Sequence, residues 1–321
     1  MRALSFSGLA LLLAGCGGGL NPSVSPPAAD QSAMRMPDTS VRIYTANRND
    51  PGVFAFKATA SGNVAPAIDI SGSKTTLDSP DALALDSTGN VYAANDSATQ
   101  VAVFKAGSNG NVKPWKIVGG SNSQLGPTEG ILVDPNGHLW VSNFSAGAIT
   151  EYAAGASGNV SPIRTIGGSN PNLQTPVGMA MDKKGRLFVA NIGSSSIRVF
   201  GSKAKGNAKP VFTIGGSNTG LRRPFALAFD RDGRLLVADE TTGVVVFAKG
   251  AKGDAVPVAT ITSVNGAAGV LADHAHHIYV AEFSGGAIDE FASNANGNAT
   301  PLRRIQGSKT MLDGPCYLAL Y

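Results

Sequence analysis

The stretch at residues 80–95 recurs along the chain at an almost constant interval, and this repetition limits the fold more than any other feature. It reads Pro-Asp-Ala-Leu-Ala-Leu-Asp-Ser-Thr-Gly-Asn-Val-Tyr-Ala-Ala-Asn, which is the pattern of two short apolar strands joined by a turn. The aspartates that open the turn lie 48 residues apart, with one interval of 43, at Asp86, Asp134, Asp182, Asp230 and Asp273. Such a repeat can devote all 321 residues to one closed domain.

Each repeat predicts four short strands. The second strand ends just before an Asn or an acidic residue and is predicted at 43–46, 91–94, 139–142, 187–190, 235–238 and 278–281. An aromatic residue closes the third strand at Phe56, Phe104, Tyr152, Phe200, Phe247 and Phe291. A Gly-Asn or similar pair then predicts a hairpin turn, because these residues accept positive φ. A proline follows at Pro66, Pro114, Pro162, Pro210, Pro257 and Pro301, which places the fourth strand at the outer edge of its sheet.

Repeats of four strands and this length are typical of propeller blades. The first unit, from Val41, lacks a first strand, whereas residues 316–321 read as a first strand with nothing after it. We therefore predict an all-β fold, a six-bladed β-propeller with four antiparallel strands per blade, whose ring is closed by the C-terminal strand joining the N-terminal blade. Closure removes the free sheet edges that promote aggregation.

The composition agrees with this fold and argues against one class of partner. The 40 glycines and 18 prolines suit many strands joined by tight turns. The net charge of +4 comes from Lys and Arg scattered over turns, without the basic stripe of a nucleic-acid surface, so no nucleic-acid partner is predicted. The two cysteines, Cys16 and Cys316, offer no disulfide framework, and Cys316 is predicted to be a small buried apolar group.

The N-terminus has the marks of an export signal. Arg2 precedes an apolar run from Leu4 to Ala14, which is shorter than the ~20 residues of a membrane-spanning helix. The following Leu-Ala-Gly-Cys resembles the lipobox of bacterial lipoproteins, and the resemblance implies cleavage before Cys16 and acylation of that residue with palmitate-like chains. An ordinary signal peptide with an unrelated Cys16 is the alternative. Residues 1–15 are thus a predicted signal peptide, 16–40 a lipidated Cys and flexible tether, and 41–321 the propeller.

This predicts a protein attached to a membrane through its N-terminal lipid, on the extracytoplasmic side of the cell envelope. In lipoproteins, Asp after the lipidated Cys favours retention at the inner membrane. Residue 17 is Gly, so the resemblance implies the outer membrane if the host has one.

The repeated pattern Pro-x-Gly/Ala-apolar-x-apolar-Asp-x-x-Gly-x-Leu-Phe/Tyr-Val-Ala-Asn resembles the NHL repeat, over essentially all of residues 41–321. NHL-like and related six-bladed propellers include lactonases, lyases and interaction platforms, so the resemblance implies a fold and not one function.

By analogy with propellers, the residue just before each first strand lies at the mouth of the central channel. These residues are Asp81, Glu129, Val177, Phe225, Ala268 and Cys316. Related lactonase propellers hold calcium at this place through Glu, Asn and Asp side chains. Only Asp81 and Glu129 resemble such ligands, and four of the six side chains cannot coordinate a hard cation, which needs six to eight oxygens. The pair remains the candidate for catalysis or metal binding, because two nearby carboxylates can share a proton or a cation. Solvated loop acids are the alternative.

A second set of polar residues ends the second strands, at Asn47, Asn95, Asn143, Asn191, Asp239 and Glu282. A residue type that occurs in nearly every repeat is expected to be structural, and Asn or Asp can bond the backbone of a loop here. Glu282 departs most from the pattern and is retained as a third candidate metal ligand.

Two other features are assigned to the blade itself. The cluster of His274, His276 and His277 replaces the Asp-x-x-Gly turn and is predicted to be a deviant turn on the face opposite Asp81, with a zinc or nickel site as the alternative. His138 is predicted to be an unpartnered turn residue. The Gly-Gly-Ser-Asn runs at 119–122, 167–170 and 215–218 lack the Lys-Ser/Thr of a phosphate-binding loop and are assigned to crossings between blades.

Together these features predict a lipid-anchored, extracytoplasmic binding or scaffold protein, with a protein, peptide or glycan ligand on one propeller face. The alternative is a metal-dependent enzyme of lactonase or lyase type with its site at the channel mouth. No cofactor is assigned, Ca²⁺ is kept as an alternative, and a monomer is expected.

Overall fold

The structure is a computed structural model that describes residues 41–96 and 98–321. The predictions for residues 1–40, including the lipidation of Cys16, lie outside the described residues. In the described part, six sheets of four antiparallel strands form a ring, which confirms the predicted six-bladed propeller. The helices there are three single turns of 3₁₀ helix, at Ser121–Ser123, Ile192–Ser194 and Ser217–Thr219, so no helix in this part of the chain is long and apolar enough to cross a membrane.

The strands of each blade run outward from the axis in a common order. The innermost strands are β4 (Pro80–Leu85), β8 (Thr128–Val133), β12 (Pro176–Met181), β16 (Pro224–Phe229), β20 (Ala267–Ala272) and β24 (Pro315–Leu320). The second strands are β1 (Arg42–Asn47), β5 (Val91–Asn95), β9 (Leu139–Asn143), β13 (Leu187–Asn191), β17 (Leu235–Asp239) and β21 (Ile278–Glu282). They extend each predicted second strand to include the residue that follows it, and at β1 also the one before.

The outer half of each blade is equally regular. The third strands are β2 (Gly52–Lys57), β6 (Gln100–Phe104), β10 (Ala148–Tyr152), β14 (Ser196–Phe200), β18 (Gly243–Phe247) and β22 (Ala287–Phe291). The outermost strands are β3 (Ile68–Ser71), β7 (Lys116–Gly119), β11 (Arg164–Ile166), β15 (Phe212–Ile214), β19 (Ala259–Ile261) and β23 (Arg303–Gln306). We number the blades 1 to 6 along the chain, starting with the sheet that contains β1.

Ring closure takes place in blade 1, as the sequence predicts. The C-terminal strand β24 pairs antiparallel with β1, and the N–H of Arg42 in β1 donates a backbone hydrogen bond of 2.8 Å to the C=O of Tyr321. Each innermost strand contacts the innermost strands of both neighbouring blades, including β24 with β4. Each described blade therefore contacts another blade on both sides, and the ring is closed.

The turn between the first two strands of a blade is held by its aspartate. In blade 2, the N–H groups of Thr88 and Asn90 both donate to Asp86 Oδ1 at 2.9 Å. Asp273 accepts from Ala275 and His277 in the same way at 2.8 Å. His276 has φ +67° at the position that glycine holds in the other turns. The histidine segment is thus a variant of the same turn.

The Gly-Asn pairs do not form the tight hairpin turns that the sequence predicts. In blade 4, Gly206 donates to the C=O of Thr165 in blade 3 at 2.6 Å, and the Asn207 Oδ1 accepts from the N–H of Asn170 at 2.7 Å. Equivalent links join most neighbouring blades. Pairing with the preceding blade uses the left-handed backbone that glycine allows, so these residues connect blades instead of strands.

The core lies between the blades. The residues that close the third strands are all at most 1 % exposed, namely Phe56, Phe104, Tyr152, Phe200, Phe247 and Phe291. Because successive side chains of a strand point to opposite faces, both faces of each sheet contribute to this core. The innermost strands all begin on one face of the ring, which we call the mouth face, and end at the aspartate turns on the other, which we call the turn face.

Candidate functional site

The mouth face is bordered by the position at which the repeats differ most. In blade 2, Pro80 pairs with Asn95 and Ala82 with Ala94, so Asp81 bulges out of the ladder between them. Similar irregularities occur at the start of the innermost strand in blades 3 to 6. The bulge frees this residue from strand pairing and is a common way to direct a side chain at the end of a sheet.

A second variable position surrounds the first, and sequence reasoning missed it. It directly follows the repeated Asn, and its N–H bonds the loop before the first strand in every blade. Its occupants are Arg48, Asp96, Phe144, Ile192, Glu240 and Phe283. These residues differ from blade to blade as much as those at the channel mouth do, and this variation was the signal that could have identified them.

Asp81 is the most unusual residue of the mouth. Its side chain is fully buried, and neither carboxylate oxygen has a hydrogen-bond partner. The Nε of Arg48 lies 3.1 Å from Oδ1, but this is an ion pair without an aligned N–H. The pKa of Asp81 is raised to about 8, and burial is the largest cause. The nearby carboxylate of Glu129 also raises this pKa, by more than the guanidinium of Arg48 lowers it. Burial therefore favours the protonated, neutral form of Asp81, whereas Arg48 favours the ionised form.

Glu129 extends this group across to blade 3. Burial, assisted by the charge of Asp96, raises the pKa of Glu129 to about 7. Carboxylate oxygens of Asp81, Asp96 and Glu129 lie within 4.8 Å of one another. The structure thus brings together the two predicted candidates and adds Asp96, whose carboxylate also lies 3.6 Å from Nη2 of Arg48. Such a group can bind a cation, hold a proton or accept donors from a ligand.

The closing strand places two residues beside this cluster. Cys316 is a free, buried thiol, and burial raises its pKa well above the usual value, as expected for an apolar filler and not for a nucleophile. The next residue, Tyr317, stands where the other blades have Gly or Ala and has φ +48°. Its hydroxyl donates to the C=O of Glu129 at 2.7 Å, and its ring lies 5.5 Å from that of Phe225. Tyr317 therefore reaches from blade 1 to blades 3 and 5 and fills the channel below the mouth.

A pocket of about 320 Å³ opens beside the filled channel. Its walls include Arg48, Glu240 and Phe283 from the second variable position, together with Phe225 and Cys316. Arg223 also lines it and pairs with Glu240 at 2.7 Å. The pocket combines aromatic walls with groups of both charges, a composition suited to a polar organic ligand.

The repeated Asn residues are structural in the blades that carry them. Asn95 accepts from the N–H of Asp78 at 3.0 Å and donates to the C=O of Thr76 at 2.8 Å, so it holds the loop before the first strand. Asp239 accepts from the N–H groups of Arg222 and Arg223. These bonds fix the approach to the mouth.

Glu282 does not join the group at the mouth. Its carboxylate contacts the guanidinium of Arg304, which also lies 3.4 Å from Asp289. Burial and the Glu282 charge raise the pKa of Asp289 to about 7. The structure therefore places Glu282 in a separate buried ion cluster of blade 6, with Asp96 and not Glu282 as the third acid beside Asp81 and Glu129.

The prediction that His138 lacks a partner is wrong. Its Nδ1 lies 3.2 Å from carboxylate oxygens of both Asp134 and Glu151. The spacing of these three residues would allow a metal ion to bind between them. However, the Nε of Arg164 lies 2.6 Å from Glu151, so a guanidinium already balances the negative charge that a metal ion would need. Sequence reasoning treated the turn in isolation and missed Glu151, which comes from the third strand.

The same arrangement recurs in blade 6. His277 lies 3.0 Å from Asp273 and 3.4 Å from Glu290, which pairs with Arg303. The histidine, glutamate and arginine occur together in these two blades. None of the other described blades has all three residues at the equivalent positions. We assign the two clusters to blade stability.

Comparison with known proteins identifies the fold alone. No protein-family model matches the chain, and no curated protein does. A protein of unknown function from Bacteroides caccae is 11% identical with a TM-score of 0.62, covering 87% of this chain and 98% of that chain. A chain of a nidogen/laminin complex is 12% identical with a TM-score of 0.63 and the same coverage. Virginiamycin B lyase from Staphylococcus aureus is 12% identical with a TM-score of 0.51, covering 84% of this chain and 76% of that chain.

Proposed function

We propose that this protein is a lipid-anchored, extracytoplasmic binding propeller whose ligand enters the pocket at the mouth face. The observation that carries the proposal is the fully buried Asp81, which has no hydrogen bond although it lies beside Arg48 and Glu129. An unsatisfied buried polar group costs about 1–3 kcal/mol, so a partner group that bonds it recovers free energy on binding. The ligand is a protein, peptide or glycan whose polar groups bond the pocket wall next to Asp81, where Arg48 lines the pocket and lies 3.1 Å from the Asp81 carboxylate.

The mouth variants test this binding role. Immobilised wild-type protein should capture a ligand from detergent-solubilised cell envelopes, and Asp81→Leu should lose it, because leucine offers neither a donor nor an acceptor. Asp81→Asn retains one of each and should keep part of the binding. Lys113→Gln, an exposed site on the rim of blade 2, is the control and should behave as wild type. Equal capture by Asp81→Leu and wild type would contradict a site at the mouth.

The lipid anchor has its own test. Cys16→Ala should leave the propeller folded but move the protein from the detergent phase to the aqueous phase in Triton X-114 partitioning, because acyl chains contribute ~0.8 kcal/mol per buried CH₂. Circular dichroism confirms that the fold is retained. A Cys16→Ala protein that still enters the detergent phase would overturn lipidation at this residue.

A metal-dependent enzyme of lactonase or lyase type is the second candidate, favoured by the three carboxylates within 4.8 Å of one another. Carboxylate oxygens suit Ca²⁺ or Mg²⁺, and acids with pKa values near 7 suit proton transfer. Thermal unfolding with divalent ions decides between the two, since an ion at 100 times its Kd adds about 2.7 kcal/mol of stability. A melting-temperature rise that Asp81→Asn and Glu129→Gln abolish supports the enzyme. No rise with any ion removes its basis and leaves the binding role.

A further inference from the structure

A second cavity lies on the turn face, between blades 4 and 5, and the mouth site does not account for it. Its volume is about 440 Å³, within the range of sites for small organic ligands. Phe229 lines it at the end of the same innermost strand whose other end, Phe225, lines the mouth pocket. The two cavities are therefore on opposite faces of the propeller.

The floor and walls of this cavity are apolar and largely aromatic. The ring of Phe188 lies edge-on to Phe229 at 4.9 Å and to Phe212 at 5.9 Å, measured between centroids. Ile214 and Leu235 are buried beneath them. Phe212 and Phe229 themselves are only half-buried, so an apolar group entering the cavity would remove part of both rings from water.

Blades 3 and 6 carry a different side chain at the position that opens onto this cavity. Phe212 occupies the first position of the outermost strand, where blades 3 and 6 have Arg164 and Arg303. In blade 3, the guanidinium of Arg164 covers the ring of Trp140 at 4.9 Å and pairs with Glu151. In blade 4 the outermost strand supplies no arginine, and a valine, Val199, replaces the glutamate. Arg186 instead lies over the edge of the site, 5.7 Å from the ring of Phe188 and 5.2 Å from that of Phe212.

The rim of the cavity carries unbalanced positive charge. Five cations and three carboxylates line it, at Lys183, Lys184, Arg186, Arg231, Lys249, Asp182, Asp230 and Asp232. Asp182 and Asp230 are already satisfied by backbone N–H groups of their turns and by arginines at 2.6 Å. In the described part of the chain, no carboxylate lies within 4 Å of the ammonium groups of Lys183, Lys184 or Lys249.

The lysines flank the opening from both sides. Lys183 and Lys184 belong to the turn of blade 4, whereas Lys249 follows the third strand of blade 5 and lies along that blade's turn at Gly233. An anionic group at the opening would meet both sets of ammonium groups while the rest of the ligand contacts the phenylalanines. Coulomb attraction is stronger at the edge of such an apolar cavity than in bulk water.

We propose that this cavity, the 4/5 cavity, is a second ligand site that binds a small aromatic carboxylate, with its ring between Phe212 and Phe229 and its carboxylate between Lys184 and Lys249. The site is independent of the mouth, so either can be correct without the other.

Isothermal titration calorimetry with 2-naphthoate as the probe tests the site, and uncharged 2-naphthylmethanol is the comparison. Wild type should bind 2-naphthoate saturably, with one site and at least tenfold more tightly than the alcohol. Lys184→Gln/Lys249→Gln keeps a flexible polar side chain, one atom shorter, and removes the charge, so it should weaken naphthoate binding at least tenfold and leave binding of the alcohol unchanged. Lys113→Gln, the rim control of blade 2, should change neither.

Phe212→Arg introduces the residue that blades 3 and 6 carry and should abolish binding of both probes by covering Phe188. Asp81→Leu, at the mouth, should leave naphthoate binding at the wild-type level. Absence of saturable naphthoate binding to wild type would overturn the proposal. The proposal would also be overturned if the double lysine variant bound naphthoate as tightly as wild type, or if Asp81→Leu lost naphthoate binding. The result for the double lysine variant does not depend on whether Phe212→Arg folds.

Discussion

At the scale of single residues, Asp81 distinguishes this propeller from a purely structural one. A carboxyl group with a pKa of about 8 in the folded protein and about 3.8 when exposed binds its proton more tightly in the folded state. Between those two values the folded protein holds a proton that the unfolded chain has released. The free energy of unfolding therefore falls as pH rises through this window, by at most about 1.4 kcal/mol per unit from this group.

Replacing Asp81 with Asn removes that contribution while keeping the shape. The free energy of unfolding of Asp81→Asn relative to wild type should rise between pH 5 and pH 7, by up to about 1.4 kcal/mol per unit. Urea unfolding at three pH values measures this. Asp50→Asn, the same substitution at an exposed loop residue close in sequence to Arg48, serves as the matched control. Parallel profiles for Asp81→Asn would mean that Asp81 is ionised at neutral pH.

At the scale of structural elements, the loops that cross between blades depend on glycine for their contact with the next blade. Gly168 has φ +109°, and a Cβ there would lie 2.8 Å from Oδ1 of Asn207, which caps the same loop. Strands and turns were predictable because their signals are local. The link through Asn207 was not, because a Gly-Asn pair has the same sequence in a hairpin as in a contact between blades.

Gly168→Ala should destabilise the protein by about 1–3 kcal/mol, since alanine meets both an unfavourable φ and a close contact. Gly126 lies in the equivalent crossing of another blade, with no positive φ and no atom within 4 Å of an added Cβ. Gly126→Ala should therefore lie within about 0.5 kcal/mol of wild type. Urea unfolding of both variants measures the difference, and equal stabilities would show that the crossing loop adapts to a side chain.

At the scale of the whole molecule, the repeat predicts the architecture and its exceptions indicate the site. Six units and a shared closing blade followed from spacing, since a ring needs a whole number of blades. Asp81 and Glu129 were found because they break the pattern at one position. Asp96 and Arg48 break the pattern at a second position, directly after the Asn that recurs in the repeats. That recurring Asn drew attention away from the variable residue beside it. Tyr317 was missed because its reach across the channel depends on a left-handed backbone that no local pattern marks.

The central claim is that binding takes place on the mouth face, where neighbouring blades present different side chains. Amide hydrogen exchange of the protein with and without its captured envelope ligand measures this directly. Ligand should slow exchange in the loops at 48–52, 77–81, 126–129 and 240–242 and leave the aspartate turns of the opposite face unchanged. Protection confined to the turn face or to the outermost strands would contradict the claim.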